Sequence, residues 1–150
     1  MGGGEGECTE SQRSKYYAKI SGPLLDRIDI QVDVPAVKFA DIVTKTEAES
    51  SAAIKARVTA ARHRQRERFA GTAIFANVRM GPREIREFCR IGADGEKLLE
   101  AAVAKLGFSA RAYDRSLKVA RTIADLARAG EISPAHLAEA IQYRAMDRYY

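Results

Sequence analysis

Residues 109–130 read SARAYDRSLKVARTIADLARAG, and this stretch predicts one amphipathic α-helix. Ser109 is a favoured N-cap residue, and Gly130 is placed to end the helix. One face of the predicted helix is apolar and consists of Leu117, Ala120, Ile123, Ala124 and Ala127. Such a helix is stable only when its apolar face packs against another element, so the neighbouring segments decide the fold.

Helical patterns with clear start signals continue through most of the sequence. Ser133 and Pro134 are a typical N-cap and first helical residue, and Ile132 and Leu137 stand where a hydrophobic staple forms. The predicted helices run from residue 50 or 51 to about 69, from 81 to 90, from 94 to a stop at Gly107, from 109 to 129 and from 134 to 147. The predicted fold class is therefore mainly α, a compact helical bundle.

The segment before Pro35 has a different period. Apolar and polar side chains alternate over residues 28–34 (IDIQVDV), which is the pattern of a half-buried β-strand. A single strand is not stable in water, so we expect its sheet to lie in sequence outside this chain. The predicted organisation is a disordered, glycine-rich tail at 1–15, a strand-containing segment at 16–45 and a helical domain at 46–150.

The composition is that of a soluble globular protein, with 46% hydrophobic and 30% charged residues among 150. No apolar run approaches the roughly 20 residues that a membrane span needs, and the polar start does not resemble a signal peptide. The two cysteines, Cys8 and Cys89, and the two histidines, His63 and His136, lack the spacing of a metal site or a disulfide framework. We therefore expect a cytoplasmic protein with no metal site and no membrane partner.

Two arginines stand at positions that invite a functional interpretation. Arg111 lies in the first turn of its predicted helix, where the helix dipole disfavours a cation and favours an anion such as phosphate. Arg27 lies directly before the predicted strand, where its planar guanidinium would extend from the end of a sheet to the phosphate site of a neighbour. The alternatives are an Arg111 side chain that extends into water or meets a carboxylate, and a local ion pair of Arg27 with Asp26 or Asp29.

The first long helix is basic in its second half, where only Glu67 opposes the cations. Arginines four residues apart repel one another, and an acidic surface or a nucleic acid would offset that repulsion. The net charge of +5 is compatible with such a partner, although a solvated face is the alternative. The candidate nucleic-acid residues are Arg62, Arg64, Arg66 and Arg68.

Several motifs resemble the C-terminal part of the magnesium-chelatase-like AAA+ ATPases of the ComM/YifB type. They are YYAKISGPLLDRIDIQVDVP, ESSAAIKARV, GPREIREFCRI, LGFSARAYDRSLKVARTIADL and ISPAHLAEAIQYR, and the resemblance runs from about residue 8 to residue 148. In that family an all-helical lid follows the AAA+ core. The resemblance thus implies that the helical bundle is an AAA+ lid domain and that the strand is left from the core.

The resemblance also implies roles for the two arginines. Arg27 matches the arginine finger that reaches the ATP of the next subunit, and Arg111 matches the sensor-2 arginine that approaches the γ-phosphate. For a full-length parent it implies ATP and Mg²⁺ as cofactors, a homohexameric ring, and DNA as a partner. The implied activity is that of an ATPase of the helicase type, which couples hydrolysis to DNA branch migration or DNA processing.

The sequence lacks the phosphate loop, the acidic Walker-B strand and the sensor-1 strand of such an ATPase. We therefore expect a piece whose AAA+ core is missing and which alone binds no cofactor and hydrolyses no ATP. Only Cys8 remains of a cysteine-rich insert of the family, and one thiolate cannot hold zinc. Two alternatives stay open: a stand-alone helical DNA-binding module, with 109–129 and 134–147 as a helix-turn-helix, and a structural oligomerisation domain.

Overall fold

The computed structural model describes residues 9, 11, 12, 15, 27–32, 34–37, 39, 43 and 48–144. The described part contains five α-helices: α1 (Ser51–Arg68), α2 (Pro82–Phe88), α3 (Ala93–Leu106), α4 (Ala110–Leu126) and α5 (Pro134–Gln142), with a 3-10 turn (Asn77–Arg79) between α1 and α2. This confirms the predicted mainly helical fold. The predicted tail at 1–15 and the segment at 16–45 lie largely outside the described residues. None of the described helices is long and apolar enough to cross a membrane.

The helix starts follow the capping signals of the sequence. The side-chain oxygens of Ser50, Ser109 and Ser133 accept hydrogen bonds from backbone N–H groups three residues later, at 3.2, 3.1 and 3.3 Å. Each bond satisfies one of the N–H groups that a helix leaves without an intrahelical partner. Gly107 ends α3 with a φ of 63°, so the predicted glycine stop is confirmed.

The core forms around α4, which contacts α1, α2, the 3-10 turn and α5, while α3 packs on α5. The rings of Phe69 and Phe88 meet edge to face, with centroids 5.6 Å apart. Ile132 and Leu137, the predicted staple pair, are both buried. The buried cluster consists of Phe69, Met80, Ile85, Cys89, Leu99, Leu117, Ala120, Ala124, Ile132, Leu137 and Ala140.

The end of α4 corrects one prediction, because Arg128 rather than Gly130 ends the helix. Arg128 has a φ of 58°, in the left-handed region that glycine usually occupies after a helix. The backbone N–H of Ala129 donates to the carbonyl oxygen of Ala124 at 2.8 Å, which is the closing bond of a Schellman motif. Ala127, predicted on the apolar face, is exposed because the chain has already begun to turn.

The apolar side chains of α1 are buried only near its C-terminal end. Ala61 and Phe69 are buried, whereas Ile54 and Val58 are 42% and 45% exposed. The first half of α1 therefore extends beyond the described core and leaves its apolar side chains available to another surface.

The predicted β-strand is not formed in its described residues, 28–32 and 34. The apolar side chains of Ile28, Ile30, Val32 and Val34 are 40, 52, 64 and 81% exposed. A strand needs a neighbouring strand, and the described residues offer none. Instead, the backbone N–H of Gln31 donates to the carbonyl oxygen of Tyr143 at 2.9 Å, so this segment lies along the end of α5.

Candidate functional site

The N-terminal end of α4 presents Arg111 to solvent. Ser109 caps the helix, and the first turn contains no acidic residue. Arg111 is exposed, and within the described part of the chain its side chain has no hydrogen bond or ion pair. A guanidinium at the positive end of a helix dipole, without a carboxylate partner there, is placed to accept an anion.

Arg27 is also exposed, and its backbone is held by α4. The side chain of Arg115 donates from Nη1 to the carbonyl oxygen of Arg27 at 2.5 Å and forms an ion pair with Asp29. The carboxylate of Asp29 therefore pairs with Arg115, which removes one of the two local partners expected for Arg27. The other expected partner, Asp26, lies outside the described residues. No contact within the described part joins the side chains of Arg27 and Arg111.

The four arginines of the basic half of α1 have different environments. Arg62 and Arg66 are exposed. Arg64 is half-buried and donates to the carbonyl oxygen of Ala129 at 3.2 Å. Arg68 points into the domain, where only 13% of its side chain is exposed. The nucleic-acid contact stays a prediction for all four arginines, of which Arg64 and Arg68 are less exposed than Arg62 and Arg66.

Arg68 belongs to a buried polar network that the sequence did not lead us to expect. Its two terminal nitrogens donate to the two carboxylate oxygens of Asp125 at 2.7 and 2.5 Å. Asn77 accepts a bond from Arg68 at 2.8 Å and donates to Asp125 at 2.9 Å and to Thr122 at 3.0 Å. The network joins α1, the 3-10 turn and α4, and it fixes how these three elements lie against one another.

Arg121 extends the network to the loop after α4. It lies 3.2 Å from the carboxylate of Asp125 and donates to the carbonyl oxygens of Ala129 at 2.9 Å and Gly130 at 2.8 Å. Both side chains of the Arg121–Asp125 pair are buried, with 4% and 0% exposed. These bonds satisfy carbonyl groups that the left-handed turn at Arg128 leaves without helical partners.

The electrostatics of the network favour the ionised carboxylate. Burial alone would raise the pKa of Asp125, but hydrogen bonds from Arg68 and Asn77 and the charges of Arg68 and Arg121 outweigh it. The pKa of Asp125 therefore lies below its usual value. Cys89 is the opposite case, because burial raises the pKa of its thiol to about 11 and keeps it protonated at neutral pH.

A spacing in the sequence could have revealed part of this network. Arg121 follows Leu117 by four residues and precedes Ala124 by three, which places it in the apolar row of α4. Asp125 follows Arg121 by four residues, at the spacing of a helical ion pair. Arg68 and Asn77 carry no comparable local signal, because their partners lie 57 and 48 residues away.

Comparison with known proteins places this chain in a family. Residues 48–144 match the family model described as "Magnesium chelatase, subunit ChlI C-terminal", and residues 2–42 match "Magnesium chelatase, subunit ChlI". The first match covers all five helices of the described domain.

Curated relatives match almost the whole chain. The chain is 42% identical over 148 residues to the uncharacterized protein YifB of Escherichia coli and 40% identical over 147 residues to the competence protein ComM of Haemophilus influenzae. Each alignment covers 97% of this chain and 28% of the relative, so the chain spans little more than a quarter of their length. The chain therefore belongs to the magnesium-chelatase-like proteins of the ComM/YifB type, as its motifs indicate.

Proposed function

We propose that this chain is the lid end of an ATP-driven AAA+ motor, and that Arg111 contacts the γ-phosphate of bound ATP. The exposed guanidinium of Arg111 in the first turn of a serine-capped helix carries the proposal. An anion at this position would gain from the guanidinium and from the helix dipole together. Because Arg111 has no competing partner in the described part, it would draw the lid towards a nucleotide held by the core.

Mg²⁺ would reach this site with the nucleotide. The described residues contain no group of three or more His, Cys, Asp and Glu side chains that could hold a metal ion. Guanidinium groups bind phosphate oxygens and do not bind cations. The part of this chain in the site is thus to bind and orient phosphate, while ATP supplies the phosphoryl group for transfer.

Arg27 would act on the ATP of a neighbouring subunit in a homohexameric ring. Its side chain is exposed at the edge of the described domain, while its backbone carbonyl is fixed by Arg115. A finger arginine of this kind stabilises charge on the transferring phosphoryl group and raises turnover by about 10³-fold or more. It should have little effect on the binding of ATP, because the charge that it stabilises develops mainly in the transition state.

DNA is the proposed partner of the motor. One relative is named as a competence protein, and Arg62 and Arg66 give α1 an exposed basic side. The alternative of a helix-turn-helix is not favoured, because α5 (PAHLAEAIQ) contains Glu139 and neither lysine nor arginine. A recognition helix normally contacts phosphates and base edges with basic and polar side chains.

The test is to measure ATP hydrolysis and nucleotide binding in the full-length protein and in single variants. Arg27→Ala should lower kcat by about 10³-fold without weakening nucleotide binding. Arg111→Ala should weaken the binding of a non-hydrolysable ATP analogue more than that of ADP, since only the former has a γ-phosphate. Lys97→Ala, whose side chain is 77% exposed on α3, serves as the control and should leave both values unchanged.

Two further measurements complete the test. Duplex DNA should stimulate hydrolysis, and the double variant Arg62→Ala/Arg66→Ala should lose that stimulation at moderate salt. The 150-residue chain alone should hydrolyse no ATP, because its sequence contains no phosphate loop.

Strong residual hydrolysis by the full-length Arg27→Ala variant would refute the assignment of the finger. Equal affinity of the Arg111→Ala variant and the unchanged protein for the ATP analogue would refute the assignment of Arg111.

A further inference from the structure

The segment that carries Arg27 is attached to the helical domain by polar contacts. Arg115 of α4 binds the carbonyl oxygen of Arg27 and the carboxylate of Asp29. Arg144, after α5, donates to the carbonyl oxygen of Ile28 at 3.0 Å. With the backbone bond from Gln31 to Tyr143, these contacts hold residues 27–31 from two places in the domain.

Apolar packing contributes little to this attachment. Ile30 and Val32 are 52% and 64% exposed. A groove of about 390 Å³ is lined both by these two residues and by Val119 and Ile123 of α4. Because this groove is open, the apolar side chains of the segment do not pack closely against α4. The described segment also has no strand partner, so the bonds of Arg115 and Arg144 to its residues, together with the Gln31–Tyr143 backbone bond, contribute to where its backbone lies.

The two side chains that hold the segment differ in burial. Only 1% of Arg144 is exposed, and its guanidinium lies 5.9 Å from the centre of the ring of Phe108, directly before the cap of α4. Arg115 is half-buried, with 27% of its side chain exposed. Arg144 therefore belongs to the framework of the domain, whereas Arg115 is an accessible contact that can be removed without opening the core.

Arg115 lies one helical turn after Arg111. Residues four apart on a helix share a face and are separated by about 6 Å along the axis. Arg111 faces the proposed phosphate of its own subunit, and Arg115 holds the backbone from which Arg27 extends to the proposed phosphate of the neighbour. One turn of α4 thus touches both sites.

We infer that Arg115 is a positioning residue that attaches residues 27–31, the segment with the finger arginine, to the lid. Movement of α4 would therefore also move Arg27. The inference rests on the proposed function of Arg27 and Arg111. Because α4 is continuous from Ala110 to Leu126, a shift of its first turn towards a phosphate also displaces Arg115 and the carbonyl oxygen that it binds. The nucleotide state of one subunit would in this way set the reach of its finger into the next subunit.

The attachment is tested first in the 150-residue chain, without nucleotide. Arg115→Gln removes the charge but keeps a polar side chain, and it should speed the hydrogen exchange of the Gln31 amide about tenfold, since that amide is bonded to Tyr143 in the attached segment. Arg115→Lys should restore most of the protection because it keeps the charge beside Asp29. Arg111→Gln, one turn away on the same helix, is the matched control and should leave the exchange of Gln31 unchanged. Equal exchange in the Arg115→Gln variant and the unchanged chain would overturn the inference.

The consequence for turnover is tested in the full-length protein. Arg115→Gln should lower kcat about tenfold or more, with KM for ATP and nucleotide affinity within about twofold, because a displaced finger affects transfer and not binding. Arg115→Lys should recover most of the loss, which a merely misfolded domain would not allow. If Arg27→Ala abolishes turnover while Arg115→Gln turns over normally, the positioning inference fails alone. If Arg27→Ala itself turns over normally, the proposed function fails.

Discussion

Replacing Asp125 with asparagine tests the physical role of the buried network most directly. The substitution keeps the shape of the side chain and removes its charge, so its effect is mainly electrostatic. The carboxylate of Asp125 is fully buried, and the side chains of Arg68 and Arg121 are only 13% and 4% exposed. Bulk water therefore cannot replace the carboxylate as the partner of either guanidinium.

The expected loss follows from the contacts that the carboxylate makes. Arg68 donates two bonds to it at 2.7 and 2.5 Å, and Arg121 lies 3.2 Å from it. Removing one partner of a buried ion pair costs about 3–5 kcal/mol, because the remaining charge stays buried without compensation. A domain of this size is stable by about 5–15 kcal/mol, so Asp125→Asn should remove a large fraction of the free energy of unfolding.

The measurement is urea unfolding of the 150-residue chain at neutral pH, followed by the helical circular dichroism signal. The midpoint should fall while the dependence of the free energy on urea stays constant, which shows that stability and not compactness has changed. Asp94→Asn is the matched control, because its carboxylate is 83% exposed and lies 3.8 Å from Lys97. That exposed pair should contribute less than about 1 kcal/mol.

The pH dependence gives the same prediction an independent check. The folded-state pKa of Asp125 lies below its usual value, so the carboxylate stabilises the fold at neutral pH and loses this effect as the pH falls through the folded-state pKa. The stability of the unchanged chain should therefore approach that of the Asp125→Asn variant in acid. A difference below about 1 kcal/mol at neutral pH would refute the reasoning, because it would equal that of an exposed pair.

Two further predictions concern single residues of the fold. Arg128→Gly should raise the free energy of unfolding by about 0.5–1 kcal/mol, because glycine relieves the left-handed strain at φ 58° at some cost in unfolded-state entropy. Ala127→Gly is the control, because φ at Ala127 is −75°, and it should not raise the free energy of unfolding. Equal effects in the two variants would contradict this prediction. The raised pKa of Cys89 predicts that stability falls as the pH rises from 9.0 to about 11, because the thiol ionises in the unfolded chain first. Urea unfolding across this pH range should show a flatter profile for Cys89→Ala, and identical slopes would disprove the effect of burial.

The helices of this domain could be predicted because their signals are local. A serine cap at Ser109 or Ser133 needs only the backbone three residues ahead, and Gly107 needs only its own φ. The prediction that α4 ends at Gly130 was wrong. Arg121 donates to the carbonyl oxygens of Ala129 and Gly130, eight and nine residues later, and these bonds support a left-handed Arg128 instead. The predicted strand at residues 28–34 is not formed for a related reason. Alternation of apolar and polar residues favours a strand, but it does not supply the neighbouring strand with which it must pair.

The candidate site was predictable to a different degree at each residue. The position of Arg111 follows from its place after a serine cap, and the structure leaves it exposed as that place implies. The inward orientation of Arg68 could not be predicted, because a run of alternating arginines gives no sign of which one meets a carboxylate 57 residues later. Arg115 was missed because its partners, Arg27 and Asp29, are 88 and 86 residues away in sequence.

The two ends of α4 have different roles, and the continuous helix connects them. Asp125 fixes the C-terminal end against α1, whereas Arg111 and Arg115 lie at the other end, roughly 21 Å and 15 Å along the axis. Sites this far apart with no shared partners have additive effects on stability. Asp125→Asn should therefore weaken the whole domain and leave the exchange of the Gln31 amide nearly unchanged, because that amide exchanges when its segment detaches locally. Arg115→Gln should loosen the segment alone, because it leaves the buried end of the helix intact.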